Sequence, residues 1–572
     1  MATITANLNG GDTITPDADL TFKVYGLIDN YTTAIATVGS ANTDENVSVN
    51  AGVVTIENVD LGLETFVKVT SIDEAGNESN QSTAFEVPDL TATFYVRPAG
   101  TTYGNGDGKS YANAWSGASE FNSKQVTNSI VYVCGTFEQD SFVVDANNIT
   151  LRGDYDGDPG VIDGEDNGGL GVTMDGLTGV KIYSLRIINH LSANLQLNGD
   201  CEIQTFNIDV SGSGDQGVQH FENTVAIHNN LSGDNCFDEV ISGHQSAQIT
   251  LNGGSLTNSN SGINAVGDGL ITVNGTTFSG NVYDLNIPSE GLSCVANSCT
   301  FASKLRCDRN STLTLNNCDG NQDIELGNVL GGSLIINNSL IGEIKSLGSI
   351  NSEISCQITN SVFEIQGNYK NGLTITESKV GVTAQIQGNV TLSRNLLIST
   401  ETTNNTFRIE SGHQITANYN VCILSDSTNR FFNLLNTDNT IDNNTFIGTN
   451  GNGRAIIKSS AGTNVYNNNI FLDLQIGIQS FSAQNTLNNC VRFNVSNLQT
   501  NNITSNNEIT TNPDLEDISN NDFALKVGSP AIGAGVTVSN ATGISSATWT
   551  GALPNVVTKE QIAPFDIGAY VS

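Results

Sequence analysis

A small cassette recurs through most of this 572-residue chain: HNNLSGD, NGGSLTNS, NGTTFSGN, NSCTFAS, NNSLIGE, TNSVFEI, NNTFIGT and NNNIFLD. Its apolar anchors Leu231, Leu256, Phe278 and Phe301 fall about 22 to 25 residues apart, a repeat period that marks solenoids. A helical repeat of two helices and a turn needs more than about 30 residues, and no helical periodicity of useful length interrupts the short apolar runs. The period suits one rung of a parallel β-helix, in which each coil contacts only its neighbours. Inward positions then stack Leu, Ile, Val, Phe and Cys into ladders, and Asn at a recurring turn stacks its amide from coil to coil. With a repeat of about 22 residues, the span from about 92 to 510 makes roughly 17 coils.

The texture before this array is different. Over residues 1–90 the runs LTFKVYG, GVVTIENV and TFVKVTS alternate apolar and polar positions between turn residues, the pattern of a small antiparallel sandwich. The domain reading is therefore a β-sandwich over 1–90, a parallel β-helix over 91–510 and a closing segment over 511–572.

Charge narrows the partners. The chain has 22 Lys and Arg against 58 Asp and Glu, a formal net charge of −36, so a phosphate backbone is repelled over most of the surface and no nucleic acid is expected. Only 14% of residues are charged, so the polar surface must come from Asn, Ser, Thr, Gln and Gly. The start MATITANLNGGDT lacks a basic segment followed by an apolar core, and no apolar run approaches the roughly 18 residues of a membrane span. The expectation is a virion or extracellular protein with no Sec signal and no membrane partner. None of the ten cysteines forms a CxxC, and they sit in strand-like runs such as SCVANSCTF, which reads as buried, reduced thiols.

Several stretches resemble known families. VKVTSIDEAGNESNQS, residues 67–82, is similar to the last strands of bacterial immunoglobulin-like and fibronectin-like modules, which implies a spacer or attachment role. FYVRPAGTTYGNGDGKSYANAW, ITLRGDYDGDPGVIDG and the terminal NPDLEDISNNDFALKVGSPAIGAG with DIGAY resemble the opening, first coil and closing motif of right-handed parallel β-helix proteins of the pectate-lyase-like group. That group includes polysaccharide lyases, glycoside hydrolases and bacteriophage tail spikes and fibres, so the motifs specify the fold better than the chemistry. The fold class expected is all-β, a right-handed parallel β-helix solenoid preceded by a small immunoglobulin-like β-sandwich. The resemblance implies a bacteriophage virion-type fibre or spike binding host cell-surface polysaccharide through one face. The N-terminal domain would join other virion proteins, and the resembling spikes are commonly homotrimers. A secreted polysaccharide-degrading glycoside hydrolase or lyase is the alternative, and a bacterial surface adhesin the third reading.

Two groups of residues are candidates for chemistry. In DQGVQH and DNCFDEVISGHQ, Asp215 and Asp238 are about 23 residues apart and His220 and His244 about 24, both near the solenoid period. Stacked on adjacent coils roughly 4.8 Å apart, these residues with Glu239 and Asp234 would form a solvent-open group of carboxylates and imidazoles, catalytic or glycan-binding. Like charges so close raise one carboxyl pKa and favour a protonated imidazole. The competing reading is a surface that merely repeats with the coil, and the Asp-to-His spacing is one residue longer in the second cassette. In DYDGDPGVIDGE, the residues Asp154, Asp156, Asp158 and Glu165 stand at positions of a calcium loop, but Pro159 replaces its required Gly. The same segment matches the ordinary first-coil turn of the resembling group, which is the preferred reading. No cofactor is required, and calcium is the ion this segment would take. Arg306 and Arg309, with Asp308 between them, are the best local basic group and read equally as a solvated turn. Trp115 and Trp549 are expected to cap the core.

Overall fold

A computed structural model describes residues 92–572 apart from short stretches, and within residues 1–91 only the backbone of eight strands. The immunoglobulin-like module expected over 1–90 otherwise lies outside the described residues. The chain divides into two compact units, residues 1–162 with 177–185, and residues 163–176 with 186–572. The fold is a parallel β-helix of about 17 turns, as the repeat predicts. In the first unit Ala92–Arg97 pairs in parallel with Ser129–Val133, which pairs with Thr150–Arg152, which pairs with Val180–Tyr183. Trp115 is buried there and stacks on Phe94 with centroids 4.7 Å apart.

In the second unit each coil contributes to three sheets. Sheet I carries Gln216–His220, Glu239–His244, Ser261–Val266 and Tyr283–Ile287. Sheet II carries Val225–Asn229, Gln248–Asn252, Leu270–Asn274 and Ser293–Asn297. Sheet III carries the shorter Ser232–Asp234, Ser255–Thr257 and Thr277–Ser279. The core is a set of in-register ladders. In sheet I Leu195, Val218, Ile241, Ile263, Leu285, Leu305, Ile324, Ile344 and Ile365 follow one another, all buried. Each such side chain contributes about 1.5–3 kcal/mol of transfer free energy.

The Asn-rich cassette is explained by the turn between sheets II and III. Asn207, Asn230, Asn317, Asn338 and Asn360 take positive φ between 48° and 56° there, and Gly253 and Gly275 occupy the same place in the coils between. Asn and Gly are the residues that enter this left-handed region at least cost. Just before the turn, Asn229, Asn252, Asn274, Asn297, Asn316 and Asn337 form a stacked amide ladder. Each Nδ2 donates to the preceding Oδ1 at 2.8–3.0 Å. A second, fully buried ladder runs through Asn395, Asn420, Asn444 and Asn469. All ten cysteines are free and buried.

The segment 511–572 differs from a plug at the end of a solenoid. It runs along the outer side of sheet III of the later coils, where Phe523, Ile544, Trp549, Ile567 and Tyr570 cover Leu396, Val421, Ile447, Ile470 and Val491. Polar ties fix it: Tyr419 donates to the Asn540 carbonyl at 2.9 Å and Lys379 to the Trp549 carbonyl at 3.2 Å. Trp549, expected to cap the core, is buried under this strap with its indole N–H donating to Tyr570 Oη at 2.8 Å. The reason lies in sheet III itself, whose later strands, such as Ile470–Leu472, are apolar on both sides and need a cover.

Candidate functional site

The strand register decides which predicted residues meet. Val218 pairs with Ile241 and His220 with Gly243, and the Asp238 N–H donates to the Asp215 carbonyl at 3.0 Å. The two aspartates therefore stack. The two histidines do not, because the extra residue in the second cassette puts Gly243, not His244, above His220.

His220 also corrects the expectation of a solvent-open imidazole. Alternation along Gln216–His220 turns Val218 and His220 inward, and His220 is completely buried. Its Nδ1 lies 2.9 Å from the Ser242 carbonyl, which can only accept, so Nδ1 carries the proton. Nε2 then accepts from His228 Nε2 at 2.9 Å, and His228 Nδ1 accepts from Thr205 Oγ1 at 2.9 Å. Every polar atom of this internal relay is used with both rings neutral. Burial depresses both, His220 to about 4. The expected tendency towards a protonated imidazole is thus reversed by desolvation. His244 remains half-buried, stacked on Phe221 at 4.8 Å with Nε2 3.0 Å from Ser242 Oγ.

Asp215 and Glu239 are raised chiefly by burial, with like charge a smaller cause than the expectation gave it. Burial first, then the hydrogen bond to Asp238 and its charge, push the Asp215 carboxyl above its ordinary range. Glu239 is 7% exposed and is pushed up by burial, with the amides of Asn264 and Gln216 pulling the other way. Its Oε1 accepts from Asn264 Nδ2 at 2.6 Å, while Oε2 has no partner of hydrogen-bonding geometry. Asp234 is exposed and engaged by Thr257 and Asn258, both at 2.7 Å.

Residues outside the predicted group complete this face. Glu239 pairs with Ser261, which pairs with Tyr283. Three residues along the strands, Ser242, Asn264 and Asn286 form a parallel column. Gln216 Oε1, Glu239 Oε2, Ser261 Oγ, Asn264 Oδ1 and Asn286 Oδ1 are all buried oxygens without a hydrogen-bond partner in the protein. The signal for them was the period itself: Ser261 lies one coil beyond Glu239.

A second group was missed entirely. The triplets DIE at 323–325, EIK at 343–345 and EIQ at 364–366 repeat at the coil period in a chain otherwise poor in charge, and that repetition was the available signal. Glu343 pairs with Glu364 in register. Asp323, Glu343, Glu364, Phe363 and Lys379 line a cleft of ≈ 490 Å³. Lys345 Nζ bridges Asp323 at 2.6 Å and Glu343 at 2.9 Å, and Lys304 pairs with Glu325 at 2.6 Å. Nearby, Arg306 is paired with Asp308 at 2.6 Å, and Arg309 takes a left-handed turn with φ 54°.

The calcium-like segment is dispersed among other contacts. Arg152 pairs with Asp154 at 2.7 Å, Tyr111 donates to Asp158 at 2.8 Å, and Asp156 and Glu165 are exposed. Among the described residues no three or more His, Cys, Asp or Glu side chains form a group that could hold a metal ion. Nor is any helix among them long and apolar enough to cross a membrane.

No family model matches the chain, and no curated protein matches it. Among solved structures it is similar to the pectate lyase Pel9A, at 12% identity over 84% of this chain and 96% of that one, TM-score 0.20. It is also similar to the catalytic unit of a thermostable GH87 α-1,3-glucanase from Streptomyces thermodiastaticus strain HF3-3, at 12% identity over 84% of each chain, TM-score 0.21. Likeness at this level carries over no residue's role.

Proposed function

We propose that this protein binds host cell-surface polysaccharide along the outer face of sheet I, as a fibre or spike of the virion type. The observation that supports it is the row of buried oxygens on Gln216, Glu239, Ser261, Asn264 and Asn286 that the protein itself leaves without partners. Buried polar atoms in folded proteins are nearly always hydrogen-bonded, and a polyhydroxylated chain lying across coils spaced about 4.8 Å apart brings donors at the right interval. The N-terminal domain as the attachment to other virion proteins, assembly as a homotrimer, and a location outside the cell belong to the same reading. The test is binding of the purified protein to a panel of neutral, acidic and amino polysaccharides. Saturable binding weakened by Asn264→Ala and Ser261→Ala is expected, and no binding to any member rejects the reading.

The alternative of a glycoside hydrolase or lyase has one observation in its favour, the stacking of the half-buried Asp215 and Asp238 next to the buried Glu239. Such divergent carboxyl environments are what acid and base roles require. Release of reducing ends or unsaturated uronates that disappears in Asp238→Asn favours the enzyme. Binding that weakens in the same variant, with no turnover at any stage, favours the fibre.

A further inference from the structure

We propose that the sheet I site takes a glycan unit bearing a protonated amine, an amino sugar with its nitrogen free, seated between Glu239 and the Asp215/Asp238 pair. This rests on the glycan-binding reading above and names the class of sugar.

Three observations lead to it. The unpartnered atoms of the site are four acceptor oxygens, on Gln216, Glu239, Asn264 and Asn286, and one hydroxyl, on Ser261. The ligand must therefore supply donors, and an ammonium supplies three from one atom. Next, Glu239 lies within electrostatic reach of Asp215 and Asp238, and no Lys or Arg occurs between Arg186 and Lys304. The next acidic group along the same sheet is built differently, with Lys345 held between Asp323 and Glu343. Glu239, finally, is more than nine-tenths buried, with one oxygen held by Asn264 and the other left over. A buried charge is tolerated when it is paired and hydrogen-bonded, and a ligand ammonium does both. The same features act against a polyuronate, whose carboxylates would meet like charge and no donor cation. A neutral N-acetylated sugar brings a single amide N–H and leaves the carboxylates unbalanced.

An ammonium binds here by ion pairing and hydrogen bonding. No covalent bond is made or broken.

The experiment is calorimetric titration of the full chain at pH 7 with three probes of equal length: fully deacetylated glucosamine oligosaccharides, N-acetylglucosamine oligosaccharides and oligogalacturonate. The deacetylated probe should bind at least tenfold more tightly than the acetylated one, and more weakly as salt rises. The uronate should not bind. Glu239→Gln should bring the two glucosamine probes near parity. Asp238→Asn, at a half-exposed position, does the same in part and serves where the first variant folds poorly; circular dichroism establishes the fold of both. Equal or tighter binding of the acetylated or uronate probe overturns the amine while leaving the glycan-binding reading intact. Binding of none of the three, with binding to some other polysaccharide, does likewise. Failure of every polysaccharide removes both.

Discussion

Two acidic groups on the outer face of sheet I were built in opposite ways. In the group around Glu239, that carboxyl is buried and Asp215 and Asp238 are half-buried, with no Lys or Arg between Arg186 and Lys304. Asp215 and Glu239 are pushed up accordingly, burial being the main cause. In the group around Glu343 the charges cancel. Lys345 is bonded to Asp323 and Glu343 and held further up by them, Gln366 donates to Glu343 at 2.7 Å, and Lys304 closes on Glu325. The second arrangement is a solved electrostatic problem, needing nothing from outside. The first keeps an uncompensated cost in the folded state, and such costs gather where a ligand completes the site.

The largest effect that would sharpen this contrast lies just beneath the uncompensated group, in the His220–His228 relay. Both rings are neutral in the folded chain, His220 with its pKa lowered to about 4 from an ordinary 6.5. The unfolded chain takes up these protons first as pH falls below 6.5, so stability drops until the folded form titrates near 4. At about 1.4 kcal/mol per pKa unit, His220 alone accounts for roughly 3 kcal/mol over that window. Hydrogen-exchange protection of the coils spanning 216–252 should fall correspondingly between pH 6.5 and 4, while the coils around Glu343 should not share this loss. Replacing both rings, His220→Leu with His228→Leu, removes donor and acceptor together and should flatten the profile. A profile unchanged by the double substitution means the acid sensitivity arises elsewhere.

These histidines also show how far the sequence reaches. The period was legible because Asn and Gly at the left-handed turn, Asn207, Asn230, Gly253 and Gly275 among them, repeat visibly, and because ladder residues such as Ile241 and Ile263 must be apolar. The stacking of Asp215 on Asp238 followed from the same period. The inward turn of His220 did not, since periodicity says which residues align and not which way a strand faces. A single added residue before His244 was enough to part the imidazoles. Glu239 was legible as an acid, but its missing partner was not, because that depends on Ser261 and Asn264 one coil away. The Glu343 group was legible and passed over: the triplets at 323, 343 and 364 carry the repeat as plainly as the Asn cassette. The strap over sheet III was hidden, because the need for a cover appears only once Ile470 and Leu472 are seen on a face without one.

The compensated group can be broken from its own side. Lys345→Met deletes the cation shared by Asp323 and Glu343 and leaves two carboxylates on adjacent coils. The side chains involved are only partly buried, so the loss should be modest, about 1 kcal/mol, and smaller at high salt because the remaining repulsion is screened. Hydrogen exchange in the coils spanning 323–366 measures it. No change on removing Lys345 would mean the ion pairs are ornamental and the two groups less different than their geometry implies.

The smallest effect has the opposite sign and tests the uncompensated group directly. Glu239→Gln keeps the shape and keeps an oxygen for Asn264 Nδ2, but removes a carboxyl whose charge is disfavoured by burial. A carboxyl with its folded pKa raised above the unfolded value stabilises the fold at low pH and loses that contribution as pH rises through the folded pKa. At pH 7 Glu239 therefore works against folding, and the substitution should stabilise the protein by about 1 kcal/mol, the scale of one unsatisfied buried group. The gain should shrink as the solution is acidified, because protonated Glu239 is already neutral. Thermal unfolding at pH 7 and pH 5 compares the two. A variant destabilised at pH 7 would show that Glu239 is balanced within the protein after all, and the distinction between the two acidic groups would fail at the residue on which it depends most.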